Sequence, residues 1–114
     1  MIYIASPYSS PGLPTVQEQR YQAAVKFAGL LISQGLPAFS PIAYFHPFSQ
    51  AYKLPGDAQF WHNTNMRFLR GADAIFLLRL PGWEQSKGVT IELNIAKALG
   101  IPRSDFGPDF NPIQ

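Results

Sequence analysis

Three short apolar runs alternate with longer stretches in which apolar positions recur at helical spacing. The first run, residues 2–5 (IYIA), is closed by the turn-rich SPYSSPGLP, as expected of a buried parallel strand with a loop at its carboxyl end. A helix should follow. Thr15 and Glu18 have capping-box spacing, Ala24, Phe27, Ala28 and Leu31 share one face, and Gly35 is placed to stop the helix after Gln34. Residues 36–41 (LPAFSP) read as a second strand, and 42–56 as a long aromatic loop broken by Pro and Gly. Asp57 can cap a helix over 58–70 whose one face holds Trp61, Asn65 and Phe68, with Gly71 at its end. The third run, 72–80, is a near-continuous apolar strand, and PGWEQSKG turns the chain into a last helix. Another strand would belong after it, but Arg103, Ser104 and Asp105 are polar enough that residues 103–114 read as an irregular tail.

This alternation predicts a single α/β domain over residues 1–114, a sandwich around a parallel sheet with right-handed crossovers. Ligands of such sheets bind beyond the carboxyl ends of the strands. The loops there hold Ser6, Tyr8, Ser9 and Ser10; then Pro41, Tyr44 and His46; then Trp83, Ser86 and Gly88. Neither a Gly-x-Gly-x-x-Gly fingerprint nor a Walker A sequence is present, so no motif supports a dinucleotide or a nucleoside triphosphate. Small hydroxyls and a helix amino terminus near Ser86 suit a single phosphate, although Ser86 reads equally as an ordinary helix cap. Tyr8 and Trp83 read either as stacking partners for a base or sugar or as rim packing. His46 reads as a substrate contact or as a structural loop histidine, Asp73 as a turn residue and Glu84 as a solvated charge.

Composition narrows the classes. A hydrophobic fraction of 46% with 14% charged residues is that of a globular domain, and no run approaches the roughly 18 apolar residues of a membrane span. The net charge of +2 is scattered, which argues against a nucleic-acid partner. Cysteine is absent and histidine occurs only at 46 and 62, so neither thiolate chemistry nor a protein-built metal site is expected, and no organic cofactor is implied. Met1 opens directly into an apolar run without a basic, cleavable leader, which favours the cytoplasm.

One carboxylate breaks the pattern. Stepping about 100° per residue along the last helix, Val89, Ile91, Leu93, Ile95, Ala96 and Leu99 fall on one broad arc, and Glu92 sits near its middle. Gly88 and Ala96, one turn to either side, are small enough to allow close approach. The position reads as a wobble at the core edge, as half of an ion pair, or as a functional carboxylate, because an unpartnered buried charge is costly. The helix is apolar over more of its circumference than one sheet face covers, which points to packing against a second subunit.

The segments IYIASPYS, PGDAQFW and PGWEQSKGVTIELNIAKALG resemble the nucleoside 2-deoxyribosyltransferase-like superfamily, in particular a small branch from bacteria and phages related to nucleoside 5′-monophosphate N-glycosidases. The resemblance spans about residues 1–102, and Ser86-x-Gly88-Val89-x-x-Glu92 is its most specific part. It implies a flavodoxin-like or Rossmann-like three-layer sandwich, with Glu92 as the nucleophile that attacks the anomeric carbon and Tyr3 as the residue that orients it. It also implies a homodimer or larger assembly. Relatives acting on free nucleosides carry an acidic residue at the position of Ser86, whereas the nucleotide N-glycosidases carry serine, so a 5′-phosphate held by Ser6, Ser10, Ser86 and Gly88 is the expected ligand feature. Where relatives commonly have an aspartate that assists the leaving base, this chain has Asn65, which keeps the shape but cannot deliver a proton. The activity so implied is hydrolysis of a (deoxy)nucleoside 5′-monophosphate through a glutamyl-sugar intermediate. The alternatives are a nucleoside 2-deoxyribosyltransferase and a non-catalytic nucleotide-binding module.

Overall fold

Ile2–Ala5 forms β1 and pairs on both sides, with β2 (Ala38–Phe39) and with β3 (Ala74–Leu78), in parallel register. The computed structural model describes residues 1–9, 14–55 and 58–114. Among the described residues four α-helices complete the frame: α1 (Pro14–Ser33), α2 (Pro41–Tyr52), α3 (Ala58–Arg70) and α4 (Lys87–Ala98). Beyond β3 lie β4 (Arg103–Phe106), parallel, and β5 (Pro112–Ile113), antiparallel, giving the order β2-β1-β3-β4-β5. The sheet is therefore mostly parallel. Alternation along its inner strands divides the core. Tyr3, Ala5, Ile75 and Leu77 pack with Met66 and Leu69 of α3 and Val89 and Ala96 of α4. Ile4 and Leu78 pack with Phe27, Ala28 and Leu31 of α1. An α/β domain with helices on both faces results, as expected.

The helix ends follow the local sequence. Gly35 (φ 83°) and Gly100 (φ 73°) adopt the left-handed conformation that favours glycine. Each lets the next amide turn back, Leu36 to the Leu31 carbonyl and Ile101 to the Ala96 carbonyl.

Four expectations need correction. Residues 42–56 are not a loop: Pro41–Tyr52 is helical, started by Ser40, whose hydroxyl accepts from the Ala43 amide (3.1 Å), and by Pro41 at its first turn. Pro47 lies within this helix without ending it. The residues 103–114 are not an irregular tail, because backbone pairing with β3 makes a strand of polar residues whose Asp105 is neutralised by Arg79 and Arg103. Thr15 lies inside α1 rather than capping it, since Pro14 opens the helix. The second strand contracts from 36–41 to Ala38–Phe39, and Asp57, the expected cap of α3, lies outside the described residues. No helix among the described residues is long and apolar enough to cross a membrane.

Candidate functional site

The point where strand order reverses, between β1 and β3, opens a cleft at the carboxyl ends of the strands. Its floor is Glu92. Although it belongs to a helix, Glu92 is only 8% exposed, and the Tyr3 hydroxyl from the underlying strand donates a hydrogen bond to its Oε2. Burial pushes the Glu92 carboxyl up to about 8 from an ordinary 4.5, against the downward pull of the Tyr3 hydrogen bond. Tyr3 is fully enclosed, and burial together with the neighbouring carboxylate holds its hydroxyl far above the usual phenol range, so it remains a donor. Among the described residues, Glu92 is thus a proton-binding group near neutrality at the base of an open cleft.

Ser6, Tyr8, His46, Asn65, Ser86 and Gly88 all line this cleft. Ser86 caps α4 by accepting from the Val89 amide (3.3 Å), so the capping reading holds and the same residue still faces the cleft. Two buried side-chain atoms on the walls, Ser6 Oγ and Asn65 Oδ1, have no hydrogen-bond partner. Buried polar atoms are nearly always paired, so these two, without a partner among the described residues, leave hydrogen-bonding capacity on the cleft walls. Ser10 lies outside the described residues. Trp83 is not among the lining residues: it packs against the Tyr3 and Leu77 cluster, with the Arg79 guanidinium 5.1 Å from its ring.

The helix over 41–52 brings in residues that were not expected. Ile42, Phe45 and Ser49 line the cleft beside His46, and α3 adds Trp61, His62 and Met66. Phe45 and Trp61 stack (centroids 4.5 Å, 27°) across the two helices. The spacing 42, 45, 46, 49 is itself a helical signature, and Ser40-Pro41 is a helix start; the density of aromatics and Pro47 obscured both.

His46 is buried in α2 rather than placed on a loop. Its Nδ1 lies 2.6 Å from the Tyr8 hydroxyl, its Nε2 lies 3.0 Å from Glu18 Oε2, and its ring stacks on Tyr21 at 4.0 Å. Capping-box spacing explains Glu18 only as a helix-start residue; its contact with His46 is tertiary. Arg20, 5% exposed, donates from Nη1 to the Tyr8 carbonyl (3.1 Å) and from Nη2 to the Pro81 carbonyl (2.9 Å), fastening the loops after β1 and β3 to each other. Asp73 is an exposed turn residue paired with the amino terminus, and Glu84 is exposed. Of the apolar arc on α4, Leu99 stands exposed while Val89 and Ala96 are buried and Ile91, Leu93 and Ile95 half-buried, so the domain's own layers cover most of it. No group of three or more metal-ligating side chains occurs among the described residues.

A family model, "Domain of unknown function (DUF1937)", matches residues 1–107. No curated protein matches the chain.

Proposed function

The chain belongs to the family described as Domain of unknown function (DUF1937), and we propose that it is an N-glycosidase acting on a (deoxy)nucleoside 5′-monophosphate. The observation that carries this is Glu92: a buried carboxylate held by one tyrosine at the floor of an open cleft, in the sequence context that resembles the deoxyribosyltransferase-like enzymes. We read the fold accordingly as the flavodoxin-like variety of α/β sandwich, whose order 2-1-3-4 its parallel strands share, with the short antiparallel β5 added at the edge.

Glu92, once ionised, supports the positive charge that develops on the sugar as the N-glycosidic bond breaks, then closes on the anomeric carbon. Water releases the sugar from the resulting ester. Tyr3 orients the carboxylate and favours its charged form. Ser6, with its unpaired Oγ, Ser86 and the start of α4 receive the 5′-phosphate; these groups carry no negative charge to repel it. Asn65 Oδ1 meets a donor on the sugar or base. The stacked Phe45 and Trp61 give the base an apolar wall. A homodimer or larger assembly belongs to the same reading, and sedimentation of the whole chain tests it.

The test is chromatography for free base after incubation with each (deoxy)nucleoside monophosphate and its unphosphorylated nucleoside. Release is expected only with the 5′-phosphate present and only with Glu92 intact; E92A should lose at least about a thousandfold, the scale of removing a covalent nucleophile. Base exchange onto an added acceptor base would instead establish a transferase. Tight nucleotide binding without turnover would establish a binding module, the reading that Asn65 favours because it cannot act as an acid.

A further inference from the structure

A base leaves its sugar more readily when one of its ring nitrogens or carbonyl oxygens is protonated as the glycosidic bond breaks, and Asn65 cannot supply that proton. The described residues of the cleft hold another donor. Tyr8 lines the cleft, its hydroxyl 2.6 Å from His46 Nδ1; His46, itself 6% exposed, reaches Glu18 at 3.0 Å, and Glu18 is 56% exposed on the outer surface. A hydroxyl, an imidazole and a carboxylate thus form one hydrogen-bonded line from the cleft to solvent. We propose that Tyr8 is the catalytic acid that protonates the leaving base, with His46 and Glu18 as the positioning residues that reload it; this rests on the glycosidase reading above.

Several features fit this role better than a structural one. The imidazole is fixed by stacking on Tyr21, and the Tyr8 backbone is fixed by Arg20 from the buried side. Both nitrogens of the ring are engaged, and the proposed step uses the imidazolium, which donates from Nδ1 to the Tyr8 oxygen and from Nε2 to Glu18. The Tyr8 hydrogen is then free to point into the cleft. Burial, with the Glu18 charge, raises the Tyr8 hydroxyl above its ordinary range, so a proton given to the base has to be replaced in the same step, and His46 Nδ1 is the group within reach to replace it.

The step balances. The electron pair of the C–N bond goes to the base, which takes the Tyr8 proton at another ring nitrogen or a carbonyl oxygen and so departs neutral. Tyr8 takes the proton on His46 Nδ1, leaving neutral imidazole, and a C–O bond forms to Glu92. In the second half water attacks the anomeric carbon, its proton passes to Tyr8 as the Tyr8 proton returns to His46, and the Glu92 carboxylate is released. The line ends as it began.

The test compares two leaving groups in wild type, Tyr8→Phe and Glu18→Gln. One is the base of a panel of nucleoside 5′-monophosphates, which needs a proton; the other is 4-nitrophenolate, from 4-nitrophenyl 2-deoxyribofuranoside 5-phosphate or its ribo form, which does not. Tyr8→Phe is expected to slow base release about a hundredfold or more and nitrophenolate release by less than about threefold. Glu18→Gln, an exposed change that leaves the core untouched, is expected to slow base release about tenfold with the same selectivity. Equal losses for both leaving groups, or no loss, would overturn the proposal and leave Tyr8 a packing residue. Wild-type release of nitrophenolate but of no base would overturn proton delivery while leaving the Glu92 chemistry standing. Release of neither would remove the glycosidase reading itself.

Discussion

Glu92 makes the protein's behaviour depend on pH in two opposite ways. Its folded-state carboxyl is raised from 4.5 to about 8, so between those values the folded chain keeps a proton that the unfolded chain has lost. Stability therefore falls as pH rises through that window, by up to about 1.4 kcal/mol per pH unit. E92Q should abolish this slope: the difference in urea midpoint between wild type and E92Q is expected to move in favour of E92Q from pH 5 to pH 8. Activity runs the other way, because only the carboxylate is a nucleophile. We expect kcat/KM for nitrophenolate release, which needs no proton from the Tyr8 line, to climb with pH toward about 8, and Tyr3→Phe, which removes the hydrogen bond that lowers the Glu92 value, to shift that climb to higher pH and to lower the rate. A pH–rate profile of both proteins checks the sign. Glu92 was legible as an anomaly from helical spacing, whereas its pairing with Tyr3, 89 positions away in sequence, came from the family resemblance.

At the scale of elements, two serine-capped helices carry the cleft, and their caps differ in consequence. Ser40 starts α2 and does not line the cleft; Ser86 starts α4 and does. S40A and S86A should each cost about 1 kcal/mol of unfolding free energy in urea titration. S86A alone should also raise KM for the phosphorylated substrate. The misreading of α2 has a physical cause. Aromatics and an internal proline are weak helix formers, and α2 holds its shape because Phe45 stacks on Trp61 and His46 is gripped between Tyr8, Tyr21 and Glu18. None of those partners is in the helix itself.

For the molecule as a whole, the cleft exists because the chain crosses from one side of β1 to the other, and Arg20 holds the two loops at that crossing together. Arg20→Met keeps the apolar stem and removes its hydrogen bonds to Tyr8 and Pro81. It is expected to cost on the order of 2 kcal/mol, a melting temperature lower by roughly 10 °C for a chain of this size, and to raise KM as the loops part. Thermal melts and steady-state kinetics on one preparation measure both.

By itself the sequence determined what is local. Apolar runs set β1 and β3, helical periodicity set α1, α3 and α4, and Gly35 and Gly100 set where two helices end, because each of these is decided within a few residues of chain. The tertiary structure decided what depends on distant partners. The polar segment Arg103–Phe106 became a strand because β3 offered an unpaired edge, and Asp105 could be placed there beside Arg79. Trp83 was turned from the cleft to the core, and Glu18, His46 and Tyr8, from three separate elements, were drawn into one hydrogen-bonded line. Pairing energy and burial, neither of which a single stretch of chain contains, made those choices.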